Sequence, residues 1–462
     1  MSLLTRDRKF YREFFSLVFF IAFQNLIVYA VNLADNVMLG NFYEHAMTGA
    51  TQANRVQFLL QMVVNGVGEG VVVLSSQYWG RRETQPIRRI TAIGMRFSLI
   101  IGLLFMAVAM LFPEWIMGML CGDETEVIRQ GVEYLRIISL TYIFFSINTC
   151  MLAAHRSVEN VSVGLITSSL ALVTNISLNA ILIFGNLGAP RMGVKGAAIA
   201  TLCARMVETL AIFIYTYRDK KLGMRLRHFL LRSRELSHDF VKAATPIILS
   251  GASWGIAMFI QGSVLGRLGQ AAMGANSVAD SLFSIASVVA YGASSAAAVF
   301  TGKTVGMGDR NKLKEYVKTM QVLFLMIGVV SGVALFLSRE AILSLYGDKL
   351  SPETQALARE FMGVLSITLM GTAYQVACLT GIVRGGGHTK FVFYNDLIFM
   401  WCIVLPLSLL GAFVWNLPPT LVFFLLKMDQ ILKCFVAVFE VNSYRWVRKL
   451  TRDNGQTEVA AP

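Results

Sequence analysis

Between positions 160 and 190 the chain runs 31 residues without an Asp, Glu, Lys or Arg. Comparable uncharged runs occupy 14–34, 243–266, 281–302, 319–338, 361–383 and 397–426. A helix needs about 20 apolar residues to cross a bilayer. In hydrocarbon every backbone polar group must be satisfied within the protein, which leaves helices or closed barrels. Barrel strands need alternating segments of about 10 residues, a pattern absent here. The chain therefore reads as an all-α polytopic membrane protein. Its composition agrees: only 15% of the 462 residues are charged, against about 25% in soluble proteins. The first run is too long for a cleaved leader and lacks a small-residue cleavage site at its end, so it reads as a retained helix.

Twelve transmembrane helices are expected, at 14–39, 50–78, 90–112, 131–154, 160–184, 193–217, 242–266, 273–302, 316–338, 357–382, 391–415 and 418–445. A polar, basic linker at 218–241 separates an N-lobe, 1–217, from a C-lobe, 242–450, with a tail at 451–462. With the N-terminus inside, 28 of the 41 Lys and Arg residues fall in inside segments and 6 in outside segments. Such asymmetry sets orientation. It expects both termini in the cytoplasm and a multi-pass protein of the plasma (inner) membrane.

The net charge of +13 is then mostly topology. Its basic residues are dispersed over loops without aromatic interleaving, which argues against a nucleic-acid partner. Six cysteines show no paired spacing and read as buried thiols. No metal-ligand cluster, phosphate loop or nucleophile elbow is present in the sequence, so neither an enzyme nor a cofactor is expected.

Residues 40–80 slide onto 266–306 at a constant offset of 226, with eight of 41 positions identical and no gap. The identities are Gly40/Gly266, Ala46/Ala272, Met47/Met273, Ala53/Ala279, Val63/Val289, Gly66/Gly292, Val73/Val299 and Gly80/Gly306. The offset spans six helices, an even number, so both repeats enter from the same side. Two parallel six-helix repeats about an axis along the membrane normal follow, with a site between them.

Charges inside a membrane usually face a cavity or a partner. Asp35 shares a helical face with Asn32 and Asn36, an oxygen cluster that suits a cation. Asn175 and Asn179 lie one turn apart on helix five. Helix six presents Thr201, Arg205 and Glu208 on one face, the last two at local ion-pair spacing. The asparagines read equally as helix–helix glue. Glu69 sits in the Gly-rich stretch Asn65-Gly-Val-Gly-Glu69-Gly70, where it reaches Arg55 only through an intermediary or attracts a cationic substrate. Helix twelve carries Lys427, Asp429, Lys433 and Glu440, read as a salt-bridged stripe facing the lobe interior.

At these residues the chain resembles the multidrug and toxic compound extrusion (MATE) family of cation-coupled antiporters. The resemblance rests on Asp35-Asn-Val-Met-Leu-Gly40, Val264-Leu-Gly-Arg-Leu-Gly269, Arg384-Gly-Gly-Gly-His-Thr-Lys390 and Gly193-Val-Lys-Gly-Ala-Ala-Ile-Ala-Thr201, and it covers essentially the whole chain. It implies alternating access between two six-helix lobes, with small organic compounds, hydrophobic and often cationic, leaving in exchange for Na+ or H+. It implies a cation site on Asp35, Asn175, Asn179 and Thr201, where Na+ would be held, with Asn32, Asn36, Glu69, Arg205 and Glu208 near the substrate path. The partners implied are those compounds and the lipid bilayer, and the chain is expected to act as a monomer.

The sequence departs from the family pattern in three places. Asn179 stands where many members have Asp, leaving Asp35 as the sole carboxylate of that site. The stretches 245–266 and 366–384 contain no Asp or Glu, which argues against a C-lobe cation site on helices seven and ten. Pro246 aligns with Phe20, so helix one lacks its proline. The competing readings are a flippase for lipid-linked precursors, with Arg55, Arg205 and Lys427 as phosphate ligands, and a non-transporting scaffold.

Overall fold

The computed structural model describes residues 4–122, 124–346 and 350–452; of the expected tail, 453–462 lies outside the described residues. Among the described residues the helices follow one another in the expected order. They are α1 (Arg8–Phe42), α2 (Glu44–Gly80), α3 (Thr84–Leu111), α4 (Thr125–Ile138 and Thr141–Ser157), α5 (Ser162–Leu182) and α6 (Val194–Arg218). The second half comprises α7 (Arg234–Arg267), α8 (Gln270–Met307), α9 (Arg310–Tyr346), α10 (Pro352–Val383), α11 (Thr389–Phe413) and α12 (Pro419–Lys427 and Asp429–Ser443). Ten described helices are individually long and apolar enough to span a membrane. The two pieces of α4 pass that test together across a 50° bend. Helix α12 is broken at Met428 into shorter pieces.

The apolar runs marked the membrane part of each helix and not the helix itself. Helix α7 starts at Arg234, eight residues before the expected 242, because Ser233 caps it by accepting from Leu236 N–H at 3.3 Å. Helix α1 likewise starts at Arg8, capped by Asp7, which accepts from the Lys9 and Phe10 amides. Large apolar side chains point outward along the spans, among them Phe19, Leu104, Val330, Leu337 and Phe439. An exposed apolar belt on this scale is the surface that lipid covers.

The repeat is visible as paired contacts. A Cβ on Gly80 would strike the Lys303 carbonyl oxygen, and a Cβ on Gly306 would strike the Gln77 carbonyl oxygen. Positions 77 and 303, like 80 and 306, differ by 226. Gly66 packs on Ile248 while Gly292 packs on Ala22, again partners at the same offset. Each contact occurs twice with the lobes exchanged, as a two-fold relation requires. Small residues at these points let the backbones approach closely.

Among the described residues one apolar core is shared by both lobes, and the others are private to one lobe. The shared core joins Phe10, Phe14, Val71 and Tyr78 to Phe240, Phe300, Phe324 and Trp446. It lies at the end of the bundle where the basic loops emerge. Toward the other end the N-lobe core holds Leu39, Ala46 and Ala53, and the C-lobe core holds Leu265, Ala272 and Ala279 at the equivalent positions. The lobes are thus fused at the basic end.

Polar bonds reinforce that end. Glu69 meets Arg156 of its own lobe at 3.3 Å and Arg384 of the other at 3.6 Å. Lys303 reaches Glu159 at 2.6 Å, and the Tyr316 hydroxyl donates to Asp7 Oδ2 at 2.7 Å. After α12 the chain crosses to the N-lobe, where Gln77 donates to the Arg448 carbonyl and accepts from the Leu450 amide.

The opposite end is asymmetric. Arg55 of α2 lies over the Phe259 ring of α7 at 5.8 Å. The equivalent pair on α8 and α1 is Ser281 and Leu33, and both are exposed, Leu33 at 64%. Helices α2 and α7 meet at this level, while the equivalent positions on α1 and α8 are exposed.

Candidate functional site

Helices α1, α5 and α6 bring the four expected cation-site residues together. Asn179 Nδ2 donates to Asp35 Oδ1 at 2.5 Å and to Asn175 Oδ1 at 3.1 Å. Asn175 Nδ2 in turn donates to Thr201 Oγ1 at 3.2 Å. The one-turn spacing of the asparagines puts both amides on the α5 face that meets α1 and α6. Asn175, Asn179 and Thr201 are all buried. Asn179 Oδ1 is buried with no hydrogen-bond partner among the described residues. An unsatisfied buried acceptor costs about 1–3 kcal/mol. It stands beside the one carboxylate of the cluster, so a cation or a donated proton would satisfy it.

A second polar group adjoins the first. Glu208 is buried and accepts from Arg205 Nη1 at 2.7 Å and from Asn148 Nδ2 at 3.0 Å. Ser168 approaches its other oxygen at 3.5 Å, and Thr209 donates to Asn148 Oδ1 at 2.7 Å. The ion pair expected from the spacing of Arg205 and Glu208 is thus one edge of a wider network. A small pocket lined by Val28, Val31, Asn175, Thr201, Arg205 and Glu208 connects the two groups.

The remaining candidates lie elsewhere. Asn32 and Asn36 are exposed on α1 and stand outside the hydrogen-bonded chain from Asp35 to Thr201. Glu69 sits in the ion pairs of the basic end, with Arg384 as the partner that the sequence did not suggest. The Arg384 turn is fixed by Gly387 at φ 101°, a conformation that favours glycine, and by Arg448 N–H donating to the Gly386 carbonyl. Asn148 and Ser168 were also missed, since lone polar residues on apolar helices carry no signal until a partner is known. Asp396 had a signal: it is the single charge between 391 and 426. It meets Lys433 of the helix-twelve stripe at 3.0 Å, while Glu440 meets His388 at 3.2 Å and Lys427 meets Asp280 at 3.8 Å.

The MatE family model matches residues 21–181 and 246–410, one copy per lobe. The chain belongs to the MATE family. It is a multi-pass membrane transporter of the multidrug efflux type, and not an enzyme. Among curated relatives, the probable multidrug resistance protein NorM of Thermotoga maritima is 24% identical over 403 residues, 85% of each chain. NorM of Rhizobium meliloti is 27% identical over 407 residues, covering 84% of this chain and 85% of its own. The fold is that of solved MATE transporters. An outward-facing multidrug resistance MATE family transporter aligns with TM-score 0.84 at 18% identity, over 95% of this chain and 96% of its own. The Vibrio cholerae MATE transporter VcmN aligns with TM-score 0.85 at 15% identity, over 95% and 98%.

Proposed function

We propose that this MATE transporter is a cation-coupled antiporter that exports hydrophobic and cationic organic compounds, with Asp35 as the coupling carboxylate. The observation that carries the reading is the chain Asp35–Asn179–Asn175–Thr201, with the unpartnered Asn179 Oδ1 beside it. Carboxylate, amide and hydroxyl oxygens are the ligands of a hard cation. Sodium would take Asp35 and Asn179 Oδ1 together. A proton on Asp35 could instead be donated to that same amide oxygen. Either event removes the unpaired charge from a buried site and changes which arrangement of α1, α5 and α6 is stable. An ion drives transport only through such a difference between states.

The positive-inside rule supports a cytoplasmic basic end with both termini inside, and the plasma (inner) membrane is the location that goes with this reading. The packing of the lobes together at the basic end, and the exposure of Leu33 and Ser281 at the other end, support reading the conformation as outward-facing. Substrate selectivity rests on apolar surface rich in Phe and Met, which repacks around varied ligands. The flippase reading needs free cations for phosphates. Arg205 is held by Glu208, Lys427 lies 3.8 Å from Asp280, and Arg55 stacks on Phe259. The test is substrate efflux from proteoliposomes under imposed sodium or pH gradients. Gradient-stimulated efflux in wild type that is lost in Asp35→Asn supports the reading.

A further inference from the structure

The coupling site proposed above is built from α1, α5 and α6. The repeat counterparts of those helices are α7, α11 and α12, and they too converge on a buried polar cluster. Ser250 of α7 donates to Asp396 Oδ2 of α11 at 2.7 Å. Lys433 of α12 meets Asp396 Oδ1 at 3.0 Å and Asp429 Oδ2 at 3.3 Å. Gln430 Nε2 lies 3.0 Å from Asp429 Oδ2, while its Oε1 accepts from Thr372 and Gln375 of α10. The Lys433 and Asp429 side chains are 6% and 3% exposed, and Asp396 is the open member at 30%.

An ammonium held between two carboxylates, one of them braced by a serine hydroxyl, has the ligand geometry of a bound monovalent cation. It differs in being covalently tethered. The surrounding backbone is irregular on both sides. The π-helical run Ile398–Val404 begins two residues after Asp396, and α12 is broken at Met428, immediately before Asp429. Such irregularities inside spans are tolerated where protein surrounds them and often mark functional positions.

We propose that these C-lobe helices hold a cation site of their own, set about three turns along α7 from Gln261, the position equivalent to Asp35, in which the Lys433 ammonium permanently occupies the place of a mobile monovalent cation. Ion exchange is thereby confined to the N-lobe. Removal of the ammonium leaves two neighbouring buried carboxylates that must recruit a replacement, and an alkali cation fits their oxygen ligands. The inference rests on the Asp35 reading only for the comparison of the two lobes.

The experiment is binding of radioactive Na+ to purified protein, competed with Li+, in three variants. Asp35→Asn alone is expected to show no saturable binding, and saturable binding there contradicts the Asp35 reading without touching the C-lobe site. Asp35→Asn with Lys433→Gln is expected to gain saturable, Li+-competed Na+ binding at about one site per chain. Adding Asp396→Asn is expected to abolish the gain. A folded, monodisperse Asp35→Asn/Lys433→Gln protein that binds no Na+ above Asp35→Asn overturns the proposal, as does a gain that survives Asp396→Asn. If Lys433→Gln lowers the yield of folded protein, its Tm provides a second reading. Tm is expected to rise in NaCl relative to N-methylglucamine chloride in Asp35→Asn/Lys433→Gln and not in Asp35→Asn, and equal Tm of the double variant in the two salts overturns the proposal.

Discussion

The Asn179 amide closes onto the Asp35 carboxylate at 2.5 Å, so a helix-five side chain takes the one negative charge of the N-lobe site as its acceptor. A hydrogen bond to a charged group contributes about 1.5–3 kcal/mol. Asn179→Ala removes the bond and the unpartnered oxygen together. Gradient-driven efflux is expected to fall about tenfold or more, since each 1.4 kcal/mol is a factor of ten. The variant should still be monodisperse, because an alanine fills the helix without strain. Efflux from Asn179→Ala proteoliposomes at the wild-type rate would remove Asn179 from the site.

Glu69 and Arg384 join the lobes at the basic end. Arg384→Ala breaks the only one of the two Glu69 pairs that crosses between lobes and leaves Arg156 in place. The outward-facing population is expected to shrink, so a cysteine introduced at position 76, buried against Gly302, should become more reactive to a polar thiol reagent. Glu69→Arg with Arg384→Glu should restore part of the protection. Unchanged labelling in Arg384→Ala would show that the apolar core and the remaining polar bonds hold this end shut without this pair.

Gly306 fits only because it has no side chain, since a Cβ would strike the Gln77 carbonyl. Overpacking at such a contact costs about 1–3 kcal/mol. Gly306→Ala and its repeat mate Gly80→Ala should each destabilise the outward-facing state by a similar amount, read as increased accessibility at the same position. A large effect of one and none of the other would contradict the two-fold relation at this interface.

Asp7 caps α1 and accepts from the Tyr316 hydroxyl of the other lobe. That hydrogen bond, helped by the Lys9 and Phe10 amides and opposed by burial, holds the Asp7 carboxyl below its ordinary 3.8. A carboxylate with a depressed value in the folded state stabilises it above the unfolded value and loses that contribution as pH falls through the folded value. Wild type should therefore melt above Asp7→Asn at neutral pH, with the gap closing in strongly acid solution. A gap that does not change with pH would mean that Asp7 acts through packing alone.

The frame was legible because a bilayer imposes it. Uncharged runs marked the spans, and the offset of 226 placed Gly66 and Gly292, and Gly80 and Gly306, at equivalent inter-lobe contacts. The Asp35 cluster was legible in part: one-turn spacing put Asn175 and Asn179 on one face, but their closure on Asp35 came from family resemblance. What escaped was tertiary. Glu69 and Arg384 are 315 positions apart, and nothing local in either motif announces the other. Asp429 and Lys433 showed as a pair, while Asp396, which completes their cluster, lies on another helix. Helix ends were misjudged wherever a polar first turn, such as the one capped by Ser233, extends beyond the apolar run.

The central claim is that one carboxylate on α1 couples ion to substrate. The direct measurement is uptake of a fluorescent organic cation into inside-out proteoliposomes, under sodium or proton gradients, for wild type and Asp35→Asn reconstituted at equal density. Wild type should accelerate under one of the two gradients, and Asp35→Asn should run at the same slow rate with and without it. Gradient-stimulated uptake by Asp35→Asn at the wild-type rate would contradict the account.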